Sequence, residues 1–389
     1  MGIELPRTAE PPGTATTPER ADTPETTPVS GVSFSTEIAE PDRDGGVLRY
    51  RGVDVADLVR NHVTYSEVWG LLVDGEWGNP LPAAEPFPLP IHTGDVRVDM
   101  QAGLAMLGPL WGFESLPDID DATARENLAR ASVTALSFVA QSARGLERPA
   151  VPQRIIDQCP TVTSRFMTRW RGDPDPEHIR AIDSYWVVAA EHGLNTSTLT
   201  ARVVASTGSD VAAALSSAVG ALTGVLHGGA PTRVIPLLDE ATRTDDLRTV
   251  LTRRLDRHER VPGFGHRLYT AEDPRASVLR DVARRVGAPR YDIAVAVEEA
   301  ATEVFAERYP GDPIVTNFEY WAAVLLDYAG VPVRMMPAMF ACARTAGWCA
   351  HILEQKRTGR LVRPSAHYIG SGPRRPDEVP GWDTIRLDA

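Results

Sequence analysis

Three histidines stand where the chain turns. His192 lies in Glu191-His192-Gly193, His227 sits between Val225-Leu226 and Gly228-Gly229, and His266 closes the glycine-framed loop Val261-Pro262-Gly263-Phe264-Gly265. A single imidazole near a helix end more often serves as a cap or a satisfied core group than as a catalyst. The set carries more weight than its members. An acid, Glu319, follows Asn317-Phe318, and arginines lie near each histidine or in the same late segments: Arg267, Arg275, Arg344 and Arg363. Two imidazoles, a carboxylate and several guanidiniums suit proton transfer next to a carbonyl on a polycarboxylate substrate. Glycines flanking the histidines let the backbone approach a ligand closely.

Other chemistries are poorly served. The glycine-framed loop lacks the third glycine and the preceding strand of a dinucleotide fingerprint, and neither a P-loop, a zinc-protease signature nor a nucleophile elbow occurs. Cys342, Cys349 and His351 match no usual metal spacing, so they read as buried helix residues and no metal is expected.

The elements that must position these groups are helical. His192 and His227 are 35 positions apart, enough for a helical hairpin that returns the chain towards its start. Small residues from Ala212 to Gly220 would let one arm of that hairpin pack closely on a neighbour. Apolar residues recur at three- and four-residue intervals over 53–60, 66–72, 101–107, 122–143, 177–190, 278–286, 294–308, 320–329 and 336–355. Convincing strands are few; residues 45–52 read as a small hairpin. Arg344 interrupts an otherwise apolar helix face, which is costly unless it is paired or binds an anion.

Composition narrows the class. At 389 residues with 43% apolar content the chain can bury a large core. A net charge of −12 argues against a nucleic-acid partner. Lys356 is the only lysine among 40 basic residues, and arginine favours two-pronged capture of carboxylates and phosphates. Three cysteines form no disulfide framework, and no run of about eighteen apolar residues predicts a membrane span, so a cytoplasmic protein is expected. Residues 1–30, rich in Pro, Thr, Glu and Ala, predict a disordered tail.

Four segments, HGLNTSTLTARVVAST from His192, LHGGAP around His227, GFGHR followed by Asp273-Pro274-Arg275, and the stretch from Ala343-Arg344-Thr345 to Arg360-Leu361-Val362-Arg363-Pro364, resemble the citrate synthase family in order and spacing. The likeness runs from about Val32 to Gly370 and points to the compact bacterial branch, which includes 2-methylcitrate synthases. It implies a mainly α, multi-helical fold in which residues 31–227 and 329–389 form a large domain and 228–328 a smaller one, assembled as a homodimer with a shared active site. It implies no permanently bound cofactor, a coenzyme A thioester as co-substrate, and small-molecule substrates rather than nucleic acid or membrane.

Residue by residue, the resemblance implies that His227 polarises the acyl thioester carbonyl. His266 would hydrogen-bond the oxaloacetate ketone, and His192, Arg275 and Arg344 would hold that substrate. Arg363 would reach in from the neighbouring subunit. Val261, Gly263, Phe264, Gly265 and Arg267 would contact coenzyme A. Glu319 falls where the family usually reads Asn-Val-Asp-Phe, so the base here is a glutamate in Asn317-Phe318-Glu319-Tyr320. Thr270 stands where relatives often place Lys or Arg, which leaves Arg267 or Arg308 to meet a coenzyme A phosphate. The implied reaction joins acetyl-CoA, oxaloacetate and water into citrate and CoA. The alternatives are 2-methylcitrate synthesis from propionyl-CoA, and a catalytically weak regulatory paralogue.

Overall fold

The computed structural model describes residues 34–382 apart from 43–45, 225, 226, 228–230, 245, 267 and 270. The tail expected over residues 1–30 lies outside the described residues. A three-stranded antiparallel sheet opens the structure, with β1 (Ala39–Asp42), β2 (Val47–Tyr50) and β3 (Val53–Asp54) in sequential order. Arg51-Gly52 makes the turn between β2 and β3, both at positive φ. The hairpin expected over 45–52 is thus present, and β1 extends it.

Fifteen described α-helices follow. They are α1 (Val55–Arg60), α2 (Tyr65–Asp74), α3 (Val96–Trp111), α4 (Asp121–Arg144), α5 (Gln153–Asp157), α6 (Val162–Arg171), α7 (Pro176–Ala189) and α8 (Thr196–Ser206). Next come α9 (Val211–Leu222), α10 (Val234–Ala241), α11 (Leu247–Asp256), α12 (Pro274–Arg285), α13 (Tyr291–Arg308), α14 (Phe318–Tyr328) and α15 (Met336–Thr358). No described helix is long and apolar enough to cross a membrane.

Helix α15 is the axis of the core. It is apolar on nearly every side, as a helix surrounded by protein must be, and packs on α2, α4, α7, α8 and α9. Gly359 ends it at φ 61°, where Lys356 and Arg357 in the last turn both pair with Asp121. Cys342, Cys349 and His351 are buried on this helix, as their setting predicts. Helices α8 and α9 form the expected hairpin between His192 and His227. Gly220 lets α9 lie close to α3, since an added Cβ would come within 2.7 Å of the Gln101 amide.

Candidate active site

Three helix starts carry most of the site. Asp273 caps α12 by accepting from the Arg275 N–H (3.1 Å), with Pro274 in the first turn, and so fixes Arg275 one turn from the loop that ends in His266. Asn317 caps α14 through the Glu319 N–H (3.1 Å). Asn195 caps α8 through the Thr198 N–H (3.1 Å), which places Ser197 in the first turn beside the His192 corner.

His266, Tyr269, His192 and Arg275 form one cluster. The His192 and His266 rings lie edge to face with centroids 5.5 Å apart, and His192 Nε2 is 3.1 Å from the Tyr269 hydroxyl. Tyr269 stacks on His266 at 4.8 Å. The backbone N–H groups of Leu268 and Tyr269 donate to His266 Nδ1 (3.0 and 3.2 Å), and Arg275 Nη2 lies 3.2 Å from its Nε2. Arg275 is held by the fully buried Asp273 at 2.8 and 3.0 Å, and its guanidinium lies over the Phe318 ring at 4.8 Å. Burial works against the charged guanidinium, but Asp273 prevails and raises its pKa.

These contacts favour the tautomer of His266 that carries its proton on Nε2. With Nδ1 accepting two N–H bonds, a neutral ring carries its hydrogen on Nε2, next to a guanidinium that can only donate. Two donors then face one another with no acceptor between them. A carbonyl or carboxylate oxygen is the group that would satisfy both. Burial, followed by the Arg275 charge, lowers the His266 pKa to about 4, so the ring is neutral near pH 7. His192 is held well below the usual histidine range for the same two reasons, with His266 and Arg344 adding to them.

Arg344 lies in the interior of α15, only 2% exposed. Its Nε donates to the Ala189 carbonyl (3.0 Å) and its guanidinium covers the Phe340 ring at 4.8 Å. Among the described residues no carboxylate comes within ion-pair distance of it. Burial lowers its pKa, and the charge that most opposes this belongs to the buried Glu191. The expectation of a cation needing an anion is therefore met only at a distance, which leaves the guanidinium ends for a ligand.

Glu191 ends a buried polar chain. Arg202 Nε donates to His351 Nδ1 (2.9 Å), so a neutral His351 carries its proton on Nε2, 3.3 Å from Glu191 Oε1. Arg202 in turn pairs with Glu354 and Gln355. Burial would raise the Glu191 pKa, but His351 and Arg344 outweigh it and hold the carboxyl low.

Glu319 is half-buried, and its carboxylate makes no hydrogen bond among the described residues. Burial raises its pKa, with Arg275 the main opposing charge and Arg344 a smaller one. A raised, unpartnered carboxylate near two guanidiniums is equipped to take a proton. His227 faces the first turn of α8: its Nε2 is 2.9 Å from Ser197 Oγ, which also accepts from Trp348 Nε1 (3.2 Å) and lies 2.8 Å from Asn195 Oδ1. Burial and then Arg344 bring the His227 pKa to about 4.

The loop before His266 is tied to the start of α14. Gly265 N–H donates to the Val315 carbonyl (2.7 Å), the Gly263 carbonyl accepts from Asn317 N–H (2.9 Å), and the Gly265 carbonyl accepts from Asn317 Nδ2 (3.0 Å). Val261 is buried, and Phe264 packs between Phe305 and Tyr320 with centroids at 5.5 and 5.1 Å. Much of the loop thus links His266 to Glu319, and any ligand contact falls to its remaining main-chain groups. Arg267 and Thr270 lie outside the described residues. Arg308 pairs with Asp256 at 3.0 Å. Arg363 is exposed in the extended arm after α15, apart from the cluster.

Sequence reasoning did not single out Tyr269, Asp273 or Ser197. Each had a signal. Tyr269 is three positions from His266, Asp273 begins Asp-Pro-Arg, and Ser197 is two positions after a capping asparagine.

Comparison with known proteins follows the same lines. A family model described as citrate synthase, C-terminal domain, matches residues 29–365. "Putative citrate synthase 2" of Mycobacterium tuberculosis is 69% identical over 358 residues, covering 92% of this chain and 96% of that protein. A 2-methylcitrate synthase of Shewanella oneidensis is 30% identical over 352 residues, covering 85% of this chain and 91% of its own. The fold is also that of citrate synthase from Thermoplasma acidophilum in a ternary complex with carboxymethyl coenzyme A and oxaloacetate. That structure has a TM-score of 0.74 at 23% identity and covers 89% of this chain and 96% of its own.

Proposed function

The chain belongs to the citrate synthase family of condensing acyltransferases, and on that premise we propose that it joins acetyl-CoA, oxaloacetate and water into citrate and CoA. The observation that carries this reading is the pair of donors, His266 Nε2–H and Arg275 Nη2, facing each other beside an unpartnered glutamate. In this account a ketone or carboxylate oxygen of oxaloacetate lies to one side of the two donors, within hydrogen-bond reach of both. Arg344 takes a substrate carboxylate, and His192 orients the substrate with Tyr269.

Glu319 removes a proton from the acyl methyl group. His227 supports the enol oxygen by donating from Nδ1, which requires its Nε2 to accept the Ser197 hydroxyl proton. That hydroxyl donates to Asn195 Oδ1 (2.8 Å) in the structure, so in this account its proton turns from Asn195 to His227 Nε2. The enol carbon then attacks the ketone carbon while His266 donates a hydrogen bond from Nε2 to the developing alkoxide, and the proton taken up by Glu319 balances the one the new hydroxyl acquires. Water hydrolyses the resulting thioester to free CoA. Preorganised neutral imidazoles donate without adding charge to a site that already holds two guanidiniums.

The family resemblance further supports a small domain at 228–328 and a homodimer in which Arg363 reaches the partner's site. The exposed arm beyond Gly359 and the apolar Val98, Met106 and Leu110 on α3 favour a second copy as the covering partner.

The acyl group is the finer question, because one methyl is worth only about 1–3 kcal/mol of discrimination. Thiol release from acetyl-CoA and from propionyl-CoA, each with oxaloacetate, tests it. A higher kcat/KM for acetyl-CoA with citrate as product is expected. A higher value for propionyl-CoA would make the chain a 2-methylcitrate synthase, and no release from either would overturn the enzyme reading of this site.

A further inference from the structure

The residue before the glutamate is packed as tightly as any in the site. The Phe318 side chain is buried, stacked on Tyr185 (centroids 5.9 Å apart, planes 16° apart), tilted against Phe340 at 5.8 Å, and covered by the Arg275 guanidinium at 4.8 Å. Its own N–H donates to Asp273 Oδ2 (2.9 Å). Its ring therefore fills the space between the first turn of α14 and the two helices, α7 and α15, that form the floor beneath Arg275 and Arg344.

The other side of the same turn is clamped. Asn317 is held by the carbonyls of Gly263 and Gly265, and an added Cβ at Gly263 would come within 3.1 Å of the Tyr320 Cα and 2.6 Å of its ring. The backbone at Glu319 thus cannot slide towards the floor without displacing a ring, nor away from it without breaking the loop contacts. A smaller residue at 318 would let the turn settle closer to the floor, where a shorter acid would serve.

We infer that Phe318 is a spacer that sets the stand-off of the α14 start, and that the extra methylene of Glu319 spans the gap this ring creates. The inference rests on Glu319 acting as the base. It makes Phe318 a positioning residue and couples the two side chains: aromatic bulk at 318 goes with glutamate at 319, and a small aliphatic residue goes with aspartate. This accounts for two of the three positions, 318 and 319, at which the chain departs from Asn-Val-Asp-Phe; the third is Tyr320. An aspartate on the present backbone would fall short by about 1.5 Å, the length of one carbon–carbon bond.

The test is a double-mutant cycle read as kcat for thiol release. Glu319→Asp alone is expected to lose on the order of 100-fold, as misplacement on that scale does. Phe318→Val alone is expected to lose activity too, because glutamate then overreaches. Together, Phe318→Val with Glu319→Asp is expected to recover at least about tenfold over Glu319→Asp, a reversal that a merely structural phenylalanine would not produce. A double variant no faster than Glu319→Asp would overturn the spacer. Should Phe318→Val abolish cooperative unfolding, Phe318→Leu with Glu319→Asp decides by the same comparison. Glu319→Gln separates the two ideas, since full turnover there would remove the base reading itself, whereas inactivity there with additive losses in the cycle would remove only the spacer.

Discussion

Arg275 Nη2 stands 3.2 Å from His266 Nε2 while two backbone N–H groups occupy His266 Nδ1. With the His266 proton on Nε2 the pair is a donor facing a donor, an arrangement that an oxygen within reach of both would satisfy. Removing either donor should therefore act on the substrate oxygen in a different way. His266→Ala is expected to lower kcat by about 10²–10⁴, the usual range for loss of a positioned acid–base group. Arg275→Gln is expected to act mainly on the oxaloacetate KM, raising it by roughly 10–100-fold, the scale of a charged hydrogen bond. Steady-state kinetics with oxaloacetate varied distinguishes the two.

Asp273 holds Arg275 and also accepts the Phe318 N–H, so it links α12 to the α14 start from a fully buried position. Asp273→Ala leaves a buried guanidinium without its counter-charge. A loss of roughly 3–5 kcal/mol in unfolding free energy is expected, measured by denaturant titration.

Ser197 is expected to set the tautomer of His227. Ser197→Ala removes the partner of Nε2 (2.9 Å), together with the acceptor for Trp348. The expected result is a fall in kcat of about 5–150-fold, the cost of about 1–3 kcal/mol for an unmade buried bond. An unchanged kcat would remove the role given to the hydroxyl.

Acid should act on stability and rate through different groups. His227 and His266 fall from an ordinary 6.5 to about 4 in the folded protein. Between those values the unfolded chain binds protons that the folded chain refuses. Their contribution to stability is thus fully present above pH 6.5 and is lost as the pH falls towards 4. Thermal unfolding should show a falling Tm across that window. The acid limb of the kcat/KM profile should instead follow Glu319, with an apparent pKa above the ordinary 4.5, since burial raises it.

The large features of this molecule were open to reading because they are periodic or punctuated. The pattern over 336–355 predicts the central helix α15, and the gap between His192 and His227 predicts the α8–α9 hairpin. Helices α5, α6, α10 and α11 were not anticipated; in α6 the apolar Val162, Phe166 and Trp170 are interleaved with Thr and Arg, which blurs the stripe. The histidines and arginines at turns were visible from residue type alone. Their partners were not, because Asp273, Tyr269 and Ser197 acquire meaning only from contacts across the chain. Phe318 is the extreme case, an ordinary apolar residue whose effect depends on two rings and a guanidinium brought from other helices.

The most direct measurement of the account as a whole is thiol release from acetyl-CoA with oxaloacetate, comparing the native enzyme with Glu319→Gln, which keeps the side chain's size and removes its basicity. Turnover in the native enzyme that falls by at least about 100-fold in the variant is the predicted result, in line with loss of a general base. Native turnover that survives the substitution would contradict the assignment of proton removal to Glu319.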